Sequence, residues 1–475
     1  MGCSKAQSRR ERRNPVDGYK VGSSRSLEDP SRRGVMRRSV LLIFLCTLTA
    51  AMFEYHRASA EPAQIARVSL GQSTVPLDGP WRFHVGDDPQ WSSPDFDDNS
   101  WETVDLTPAP GAHDGDVGLP GYVSGWSRRG HEGYHGYAWY RIKVALDGDD
   151  NKPLALAGPT LVDSTYQLYV DGKLLGGSGE FSGATPTVFG VRPSVFPLPA
   201  SSTGARTYVI AFRVWMDPLD VGEDNGGLHV APTIGDADGI YQLHQVQWLK
   251  TFKGYVVDAI EPMAFVMLAL MVLALSASHH DSYRWLVAAL LLLALLRVSQ
   301  VLFFWTGALS LRSYGIATAV ILKPLNLAIW TLAWRDWFRL AKSPWLGYAI
   351  SILAAVYMVF AFVGHPWFAP ETTHGLKVAS DIAIEAVRVA FAAIYLWVIG
   401  LGVARSAKPS AYLAALCAIL IGIGLFAAEL SALGIPGIWS PYGTGVARGQ
   451  YAYAAFIAVF FLLLLIRSVG MVRRK

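Results

Sequence analysis

The residues of this sequence that are best suited to bind a ligand are concentrated in one short segment. Six aromatic or histidine side chains fall within sixteen residues: Tyr122, Trp126, His131, Tyr134, His135 and Tyr137. Proteins bind sugars by covering their apolar faces with aromatic rings, while a few polar groups fix the hydroxyls. The segment therefore predicts a site for a carbohydrate or another small ligand. The alternative is an aromatic plug that covers the edge of a sheet.

The same segment contains the order of residues found in zinc proteases. Residues 131–135 read His-Glu-Gly-Tyr-His, which matches H-E-x-x-H. Zinc chemistry needs these residues on a helix, where both histidines share one face and the glutamate acts as a base. Glycines at 130, 133 and 136 argue against a helix, and no third ligand is evident. We therefore predict a loop here, and the sequence predicts neither an enzyme nor a metal or cofactor.

A second group of candidates consists of ionisable residues inside apolar runs. An unpaired charge within a membrane span is costly, so such a residue is a functional candidate by default. Glu385 and Arg388 stand three residues apart and share a helix face. We predict one buried network, assisted by Gln300 and Asn326, that is either static packing between helices or a bistable switch. Its members are Arg297, Lys323, Glu385, Arg388 and Glu429.

The composition indicates a membrane protein. The chain has 475 residues, of which 52% are hydrophobic and 16% are charged, whereas soluble domains have about 25% charged residues. The net charge of +4 comes from the first 40 residues, which are basic. These values exclude a disordered chain and a nucleic-acid partner, and they predict spans in contact with membrane lipid.

Seven apolar runs after residue 255 are long enough to predict transmembrane helices. Lysine and arginine are more frequent in one set of the intervening loops, which the positive-inside bias assigns to the cytosol. The predicted bundle covers residues 255–470 and leaves a short basic cytosolic tail at 471–475. The predicted spans are residues 259–277, 285–305, 314–334, 345–363, 382–403, 411–433 and 451–466.

Residues 1–60 have the order of a targeting segment. A basic tail precedes Arg37 and Arg38, an apolar run follows, and residues 58–60 read Ala-Ser-Ala. This order predicts a secretory signal peptide cleaved after Ala60. An uncleaved anchor is the alternative, and Met36 is an alternative start. Three cysteines in the whole chain do not build a disulfide framework.

Residues 61–250 predict an exported β domain. Short runs rich in Val, Tyr, Trp and Ile at 81–85, 137–144, 166–170 and 207–214 are separated by turn residues. Asp171-Gly172 lies between two such runs and predicts a hairpin. Strands with this spacing favour a sandwich or jelly roll.

Four ordered pieces of this region carry a resemblance to a known family. They are LDGPWRF at 77–83, FDDNSWETV at 96–104, GYAWYR at 136–141 and YQLYVDGK at 166–173. The series resembles the N-terminal sugar-binding domain of family 2 glycoside hydrolases, a galactose-binding-like jelly roll. The resemblance implies the fold and not the hydrolase activity, since the catalytic carboxylates of that family lie in a separate barrel domain. It also implies that Trp81, Trp101, Trp139 and Tyr140 are core residues.

An exported jelly-roll β-sandwich followed by seven helices resembles the bacterial seven-transmembrane receptors with diverse intracellular signalling modules. The resemblance implies an inner-membrane receptor with a periplasmic N-terminal domain and a cytosolic C-terminus. The output domain of that family, a kinase, cyclase or phosphatase, is absent after residue 466, so we expect a cytosolic signalling protein in trans. The expected ligand is a carbohydrate or other small molecule, and a homodimer is left open.

Three other functions remain open from the sequence. The first is a membrane-anchored carbohydrate-binding or scaffold protein without signalling, and the second is the sensor part of a split or truncated receptor. The third is a transporter, against which the two halves show no repeat symmetry. The short linker at 248–255 predicts that domain motion reaches the first span directly, with Asp258 and Glu261 at the junction and Pro262 as a hinge. An acidic stretch, residues 217–225, is predicted to be a solvated loop.

Overall fold

The computed structural model describes ten ranges of the chain, all within one compact unit, Gly71–Lys475. The predicted tail and signal peptide, residues 1–60, lie outside the described residues. The N-terminal half of the described chain consists of β-sheets and the C-terminal half of helices. The ranges are 74–113, 120–146, 152–199, 207–220, 224–277, 283–340, 344–364, 374–406, 408–433 and 448–472.

The strands form two antiparallel sheets. A six-stranded sheet has the order β3-β2-β4-β9-β6-β7, and a four-stranded sheet has the order β1-β10-β5-β8. The runs predicted at 81–85, 137–144, 166–170 and 207–214 are confirmed as β2, β4, β6 and β9. The strands are β1 (Thr74–Pro76), β2 (Trp81–Val85), β3 (Glu102–Val104), β4 (Gly136–Ala145), β5 (Leu154–Ala157), β6 (Thr165–Val170), β7 (Lys173–Gly177), β8 (Val195–Pro197), β9 (Thr207–Met216) and β10 (Thr233–Asp236).

The predicted hairpin joins β6 to β7. Its two turn residues, Asp171 and Gly172, have φ values of 48° and 80°. Both values lie in the left-handed region that a type I′ turn requires, and this turn matches the twist of the strands on either side. The Asp171 carboxylate also accepts a hydrogen bond of 2.8 Å from the backbone N–H of Val209 on β9. The turn is therefore held against the neighbouring strand.

A hydrophobic core lies between the two sheets. Trp81, Phe83, Tyr140 and Phe212 of the large sheet pack in the same cluster as Leu156 of the small sheet. Side chains alternate between the faces of a strand, so Tyr140 points into this core while its neighbours point away. The four predicted core aromatics, Trp81, Trp101, Trp139 and Tyr140, are all buried.

The outer face of the large sheet has a second, smaller cluster around Trp101 and Trp139. Arg141 is fully buried there, with its Nε 2.9 Å from Oδ2 of Asp98. The Arg141 guanidinium also lies 5.5 Å from the ring centre of Phe96 and 6.0 Å from that of Trp101. The loop between β2 and β3 thus covers Arg141 and supplies its carboxylate partner, Asp98.

Eight helices of five or more residues occur in the described part of the C-terminal half. α2 ends in a π-helical stretch, Leu302–Thr306, and α3 contains another, Ile316–Leu322. The helices are α1 (Ala237–Ala277), α2 (Arg284–Thr306), α3 (Leu311–Trp337), α4 (Pro344–Val363), α5 (His374–Arg405), α6 (Pro409–Leu425), α7 (Ala427–Ala432) and α8 (Arg448–Val472).

Six helices, α1 to α5 and α8, are long and apolar enough to cross a membrane. These helices indicate a multi-pass membrane protein. The span predicted at 411–433 corresponds to α6 and α7, which are separated at Phe426. Seventeen residues in α6 measure about 26 Å as a helix, less than the hydrocarbon thickness of about 30 Å. The predicted count of seven spans is therefore not confirmed.

The β domain and the helices are joined without a linker. β10 ends at Asp236 and α1 begins at Ala237, so the predicted linker at 248–255 lies inside a helix of 41 residues. The first turns of α1 pack on the outer face of the small sheet, where Ile240 contacts Ala155 and Ala157. The predicted hinge residue, Pro262, lies further along the same helix.

A second contact connects the β domain with the start of α3. The backbone N–H of Leu311 donates a hydrogen bond of 2.8 Å to the carbonyl of Val188. Arg312 lies 3.6 Å from the carboxylate of Asp217, and Asp217 is 2% exposed. The prediction of a solvated acidic loop is therefore wrong for Asp217, because this residue is enclosed between the β domain and the helices.

Replacing Arg141 tests how the outer cluster is held. In Arg141→Met, the Asp98 carboxylate loses its buried partner, and we expect the β domain to lose about 3 kcal/mol of stability. Guanidinium-induced unfolding of the full chain, followed by tryptophan fluorescence, measures this loss. The exposed Arg128 provides the control, because Arg128→Met is expected to cost less than about 1 kcal/mol. Equal losses of stability in the two variants would contradict the buried pairing of Arg141 with Asp98.

Candidate functional site

Two of the six predicted ligand residues, Trp126 and Tyr134, form hydrogen bonds within the β domain. Trp126 is 1% exposed, and its Nε1–H donates to the carbonyl of Tyr134 at 3.2 Å. The Tyr134 hydroxyl donates to the carbonyl of Tyr137 at 2.5 Å and accepts from the backbone N–H of Gly86 at 3.1 Å. Both side chains thus have partners within the protein, which agrees with the plug alternative, and their role in ligand binding stays a prediction.

The two histidines of the H-E-x-x-H order do not lie on a helix. Residues 131–135 form a turn that leads into β4, so the predicted loop is confirmed. His131 lies 3.1 Å from a carboxylate oxygen of Glu102 and packs edge-on against Phe83. His135 approaches the carbonyl of Gly133 at 3.4 Å. The two imidazoles therefore have different neighbours.

Tyr137 belongs to a surface on the outer face of the large sheet, which we call the aromatic platform: Tyr137, Phe181, Arg213 and Trp215. Tyr137 on β4 pairs directly with Trp215 on β9, and their ring centres are 4.6 Å apart. The Arg213 guanidinium lies 4.1 Å from the ring centre of Tyr137 and 5.7 Å from that of Phe181. All four side chains are partly accessible.

Arg213 is fixed in place by two neighbours. Asp87 accepts hydrogen bonds from its Nε at 2.7 Å and from a terminal nitrogen at 2.5 Å. Gln167 accepts from the other terminal nitrogen at 2.9 Å. A two-point carboxylate contact of this kind fixes the plane of a guanidinium. The platform therefore offers an ordered set of aromatic and polar groups before any ligand arrives.

The chemistry of the platform suits an uncharged polyhydroxylated ligand. Partly exposed rings can cover apolar C–H faces, and the fixed Arg213 and Gln167 groups can bond hydroxyls. Burial is the main cause that raises the pKa of Tyr137, with Arg213 opposing it. The Tyr137 hydroxyl is therefore neutral at physiological pH. Arg213, Trp215 and Phe181 were not predicted, since they lie far from Tyr137 in sequence.

Tyr122 lies in a different place, beside an open cleft of about 570 Å³ in the described part of the β domain. Its ring stacks on His229 with ring centres 4.9 Å apart and planes 5° apart. Of the six predicted residues, it is the one that lines this cleft. Other lining residues, which the sequence did not single out, include Thr107, His113, Ser124, Arg129 and Asp224.

His229, behind Tyr122, has surroundings that favour its charged form. Its Nδ1 lies 2.8 Å from the carbonyl of Val123, and its Nε2 lies 2.8 Å from the carboxylate of Asp163. A carbonyl and an ionised carboxylate only accept hydrogen bonds, so this arrangement favours a proton on both ring nitrogens. Burial lowers the pKa of His229, but the hydrogen bond and charge of Asp163 outweigh it and the pKa is raised.

The ionisable residues within the helices fall into two groups. In the first, Arg297 on α2 lies 2.6 Å from Asp258 and 2.7 Å from Glu261, both on α1. Asp258 also accepts hydrogen bonds from Gln450 on α8 at 2.7 Å and from Trp305 at 2.9 Å. This junction cluster connects three helices at the end of the bundle next to the β domain.

The second group is centred on Arg388. Its guanidinium makes a two-point contact with the Glu429 carboxylate on α7, one bond measuring 2.8 Å. It also approaches the Tyr357 hydroxyl on α4 at 3.4 Å. The side chains of Lys323 and Glu385 are accessible and form no ion pair within the described residues. The structure therefore separates the residues expected to form one network.

The partners of Arg297 were visible in the sequence only in part. Asp258 and Glu261 stand three residues apart on α1 and share a face, which is a signal of a paired carboxylate site. The sequence predicts both carboxylates at the junction between the β domain and the first span, but not as members of the buried network. Gln450 lies 192 residues from Asp258, and no local pattern predicts a contact of that separation.

No family model matches the chain, and no curated protein matches it. A β-glucuronidase from Bacteroides uniformis is 17% identical with a TM-score of 0.25, over 34% of this chain and 18% of that protein. A Ruminococcus gnavus β-glucuronidase is 12% identical with a TM-score of 0.25, over 35% and 29%. A family 2 glycoside hydrolase β-glucuronidase is 19% identical with a TM-score of 0.25, over 36% and 18%. The chain thus spans less than a third of the length of each of these three proteins.

The charge on His229 predicts a pH dependence of the β domain. Because its folded pKa is raised, its stabilisation is complete below the unfolded pKa of about 6.5 and is lost as pH rises through the folded pKa. His229→Gln should therefore destabilise the domain more at pH 6 than at pH 9, by about 1.4 kcal/mol for each unit of pKa shift. Thermal unfolding of the full chain across this range measures the difference.

His135→Gln is the matched control, because the structure gives this ring one contact, with the carbonyl of Gly133. Its stability should follow that of the wild type at every pH. A constant difference between wild type and His229→Gln across the range would contradict a charged His229.

Proposed function

We propose that this chain is a receptor of a bacterial inner membrane. Its N-terminal domain is a periplasmic jelly roll that binds a carbohydrate or another small ligand. Seven crossings, with α6 and α7 forming the sixth, transmit binding to a separate cytosolic kinase, cyclase or phosphatase. The chain itself carries no catalytic activity in this proposal, and the platform around Tyr137 and Arg213 is the ligand site.

The observation that carries the proposal is the continuity of α1. The helix begins where β10 ends and continues for 41 residues into the bundle, a length of about 60 Å. Ile240 anchors its start on the small sheet, and Asp258 anchors it about 30 Å further along to Arg297. A displacement of the sheet therefore moves the first span without a flexible segment between them.

In this proposal, the junction cluster is the element that changes between two arrangements. A helix that shifts in an apolar environment must keep its charges paired, since an unpaired buried charge costs several kcal/mol. Asp258 and Glu261 can follow a movement of α1 only by exchanging or carrying their bonds to Arg297, Gln450 and Trp305. Packed interfaces of this kind move between discrete states and do not deform continuously. This supports transmission by a switch.

A second contact makes the connection two-sided. α1 leaves the small sheet, while α3 begins against Val188 and Asp217 of the β domain. Rotation of the domain therefore changes the position of α1 relative to α3. The ligand needs to favour one arrangement by about 1–3 kcal/mol to give useful coupling.

Ligand binding is tested on the full chain in lipid nanodiscs. Thermal unfolding is measured with and without a panel of neutral mono- and oligosaccharides, and one class should stabilise the β domain by about 2.7 kcal/mol at 100 times its Kd. Phe181→Ala removes one platform ring and should abolish this stabilisation. Tyr241→Ala, an exposed ring on α1, should retain it. No stabilisation by any sugar, or one that survives Phe181→Ala, contradicts the platform.

Transmission is tested at the opposite end of the bundle. Val469 on α8 is 52% exposed, so Val469→Cys reports movement there through its rate of thiol labelling, with Cys3 and Cys46 replaced by serine. We expect the stabilising sugar to change this rate at least twofold. Inserting two glycines after Trp248 should abolish the change while leaving sugar binding intact.

An insertion of the same two glycines after Gly111, in a loop of the β domain away from the platform residues, is the control and should preserve the change. Sugar binding without any change in the labelling rate would favour the alternative, a membrane-anchored binding protein without signalling.

A further inference from the structure

The junction cluster contains more acidic than basic groups. Arg297 supplies its one positive charge, and the guanidinium lies 2.6 Å from Oδ1 of Asp258 and 2.7 Å from Oε2 of Glu261. One arginine therefore serves two carboxyl groups. Within the described part of the chain, no other cation forms an ion pair with either of them. If both carboxyl groups were ionised, the cluster would carry one uncompensated negative charge.

This excess charge would be buried. The side chains of Arg297 and Asp258 are each 9% exposed, and that of Glu261 is 5% exposed. An uncompensated charge is costly away from water, and an ionisable group in such a place changes its protonation state instead. A carboxylate becomes neutral by taking up a proton. A single proton is enough to balance the cluster.

The two carboxyl groups differ in their hydrogen bonds. Asp258 accepts three: from Arg297 at 2.6 Å, from Gln450 at 2.7 Å and from Trp305 at 2.9 Å. Such donors stabilise the ionised form. The contact of Glu261 with Arg297 lacks hydrogen-bond geometry, and Oε1 of Glu261 is buried without a hydrogen-bond partner in the described residues. Glu261 is therefore the group suited to hold the proton.

A protonated carboxyl group also needs an acceptor for its O–H, and α1 supplies one. Pro262 follows Glu261 directly in this helix. Proline has no backbone N–H, so it cannot donate to the carbonyl four residues before it. That carbonyl belongs to Asp258, one turn before Glu261. It lacks its regular helical donor and can accept a hydrogen bond from a protonated side chain beside it.

The neighbouring helices do not supply the missing positive charge. Two tyrosines are close enough to interact electrostatically with the cluster, Tyr314 on α3 and Tyr453 on α8. A tyrosine hydroxyl is uncharged near neutral pH. The other polar side chains bonded to the ion pairs are also uncharged, namely Gln300, Trp305 and Gln450. The balance therefore depends on the protonation of a carboxyl group.

We infer that the junction cluster is a proton-binding site and that Glu261 holds the proton. Asp258 stays ionised and pairs with Arg297. The cluster lies at the end of the bundle next to the β domain, so the proton exchanges with water on that side. Release of the proton leaves a buried negative charge, which favours a movement of α1. The resulting pH dependence of transmission rests on the proposed function, whereas the proton site itself does not.

Infrared spectroscopy tests the site on the full chain. The nanodiscs contain an ether-linked phosphatidylcholine, whose lack of ester carbonyls leaves the C=O stretch of protonated carboxyl groups visible. Near neutral pH, the wild type should show a band of this kind that is lost in Glu261→Gln. Glu385→Gln, which changes an accessible glutamate of α5, is the matched control and should keep the band. Absence of the band from the wild type, or its survival in Glu261→Gln, would overturn the inference.

Thermal unfolding gives a second test, without any sugar. The folded chain binds one proton more than the unfolded chain, so the stability of the wild type should fall as pH rises. Glu261→Gln resembles the protonated group. It should melt no lower than the wild type at about pH 6 and several degrees higher than it at about pH 9.

Asp258→Asn is the matched comparison for this test. It removes the ionised partner of Arg297 and should melt well below the wild type at every pH. Equal destabilisation by Glu261→Gln and Asp258→Asn at neutral pH would show that Glu261 is ionised as well, and would overturn the inference.

A bound monovalent cation would also balance the cluster, and the choice of salt separates it from a proton. The melting curves are recorded in sodium, potassium and choline chloride at equal ionic strength. For a proton, the difference in Tm between wild type and Glu261→Gln should be the same in all three salts. A Tm that rises in sodium chloride for the wild type alone would identify a bound cation and would overturn the inference.

Discussion

A guanidinium buried among apolar helices must find its counter-charge there, and this requirement determines how the bundle is joined to the β domain. Arg297 meets it with two carboxylates from α1, the helix that grows out of β10. Because Asp258 also binds Gln450 and Trp305, one group of charges fixes α1, α2 and α8 together. Breaking such a buried pair costs about 3–5 kcal/mol. The positions of the first, second and last helices are therefore interdependent.

The β domain uses the same type of interaction twice, with different consequences. Arg141 and Arg213 both project from the outer face of the large sheet, and each is paired with an aspartate near aromatic rings. The loop between β2 and β3 closes over Arg141 and buries it completely. No such cover lies over Arg213 in the described residues, so its pair stays partly accessible. Arg141 is consequently enclosed by the protein, while the guanidinium of Arg213 stays partly accessible in the proposed ligand site.

Local patterns were sufficient for the strands and insufficient for the sites. Alternation and turn residues predicted β4 and the hairpin at Asp171, because both depend on neighbours in sequence. The same alternation separates Tyr137 from Tyr140, which face opposite sides of the sheet. An aromatic-rich segment has the same composition whether its rings bind a ligand or fill a core. The pattern alone therefore could not decide between these two roles for Trp126. Contacts such as Tyr137 with Trp215 depend on strand pairing, which no spacing in the sequence reveals.

Because β10 passes directly into α1, the number of residues between the two anchors of α1 fixes how its ends are rotated relative to each other. Each residue added to or removed from the helix between Ile240 and Asp258 turns the two ends by about 100° relative to each other. The sheet would then present α1 to α2 and α8 with the wrong face, and the carboxylates of Asp258 and Glu261 would point away from Arg297. Length changes are compatible with both anchors only in steps close to whole turns, such as seven residues. The segment outside the bundle is thus constrained in length as strictly as a span is constrained in hydrophobicity.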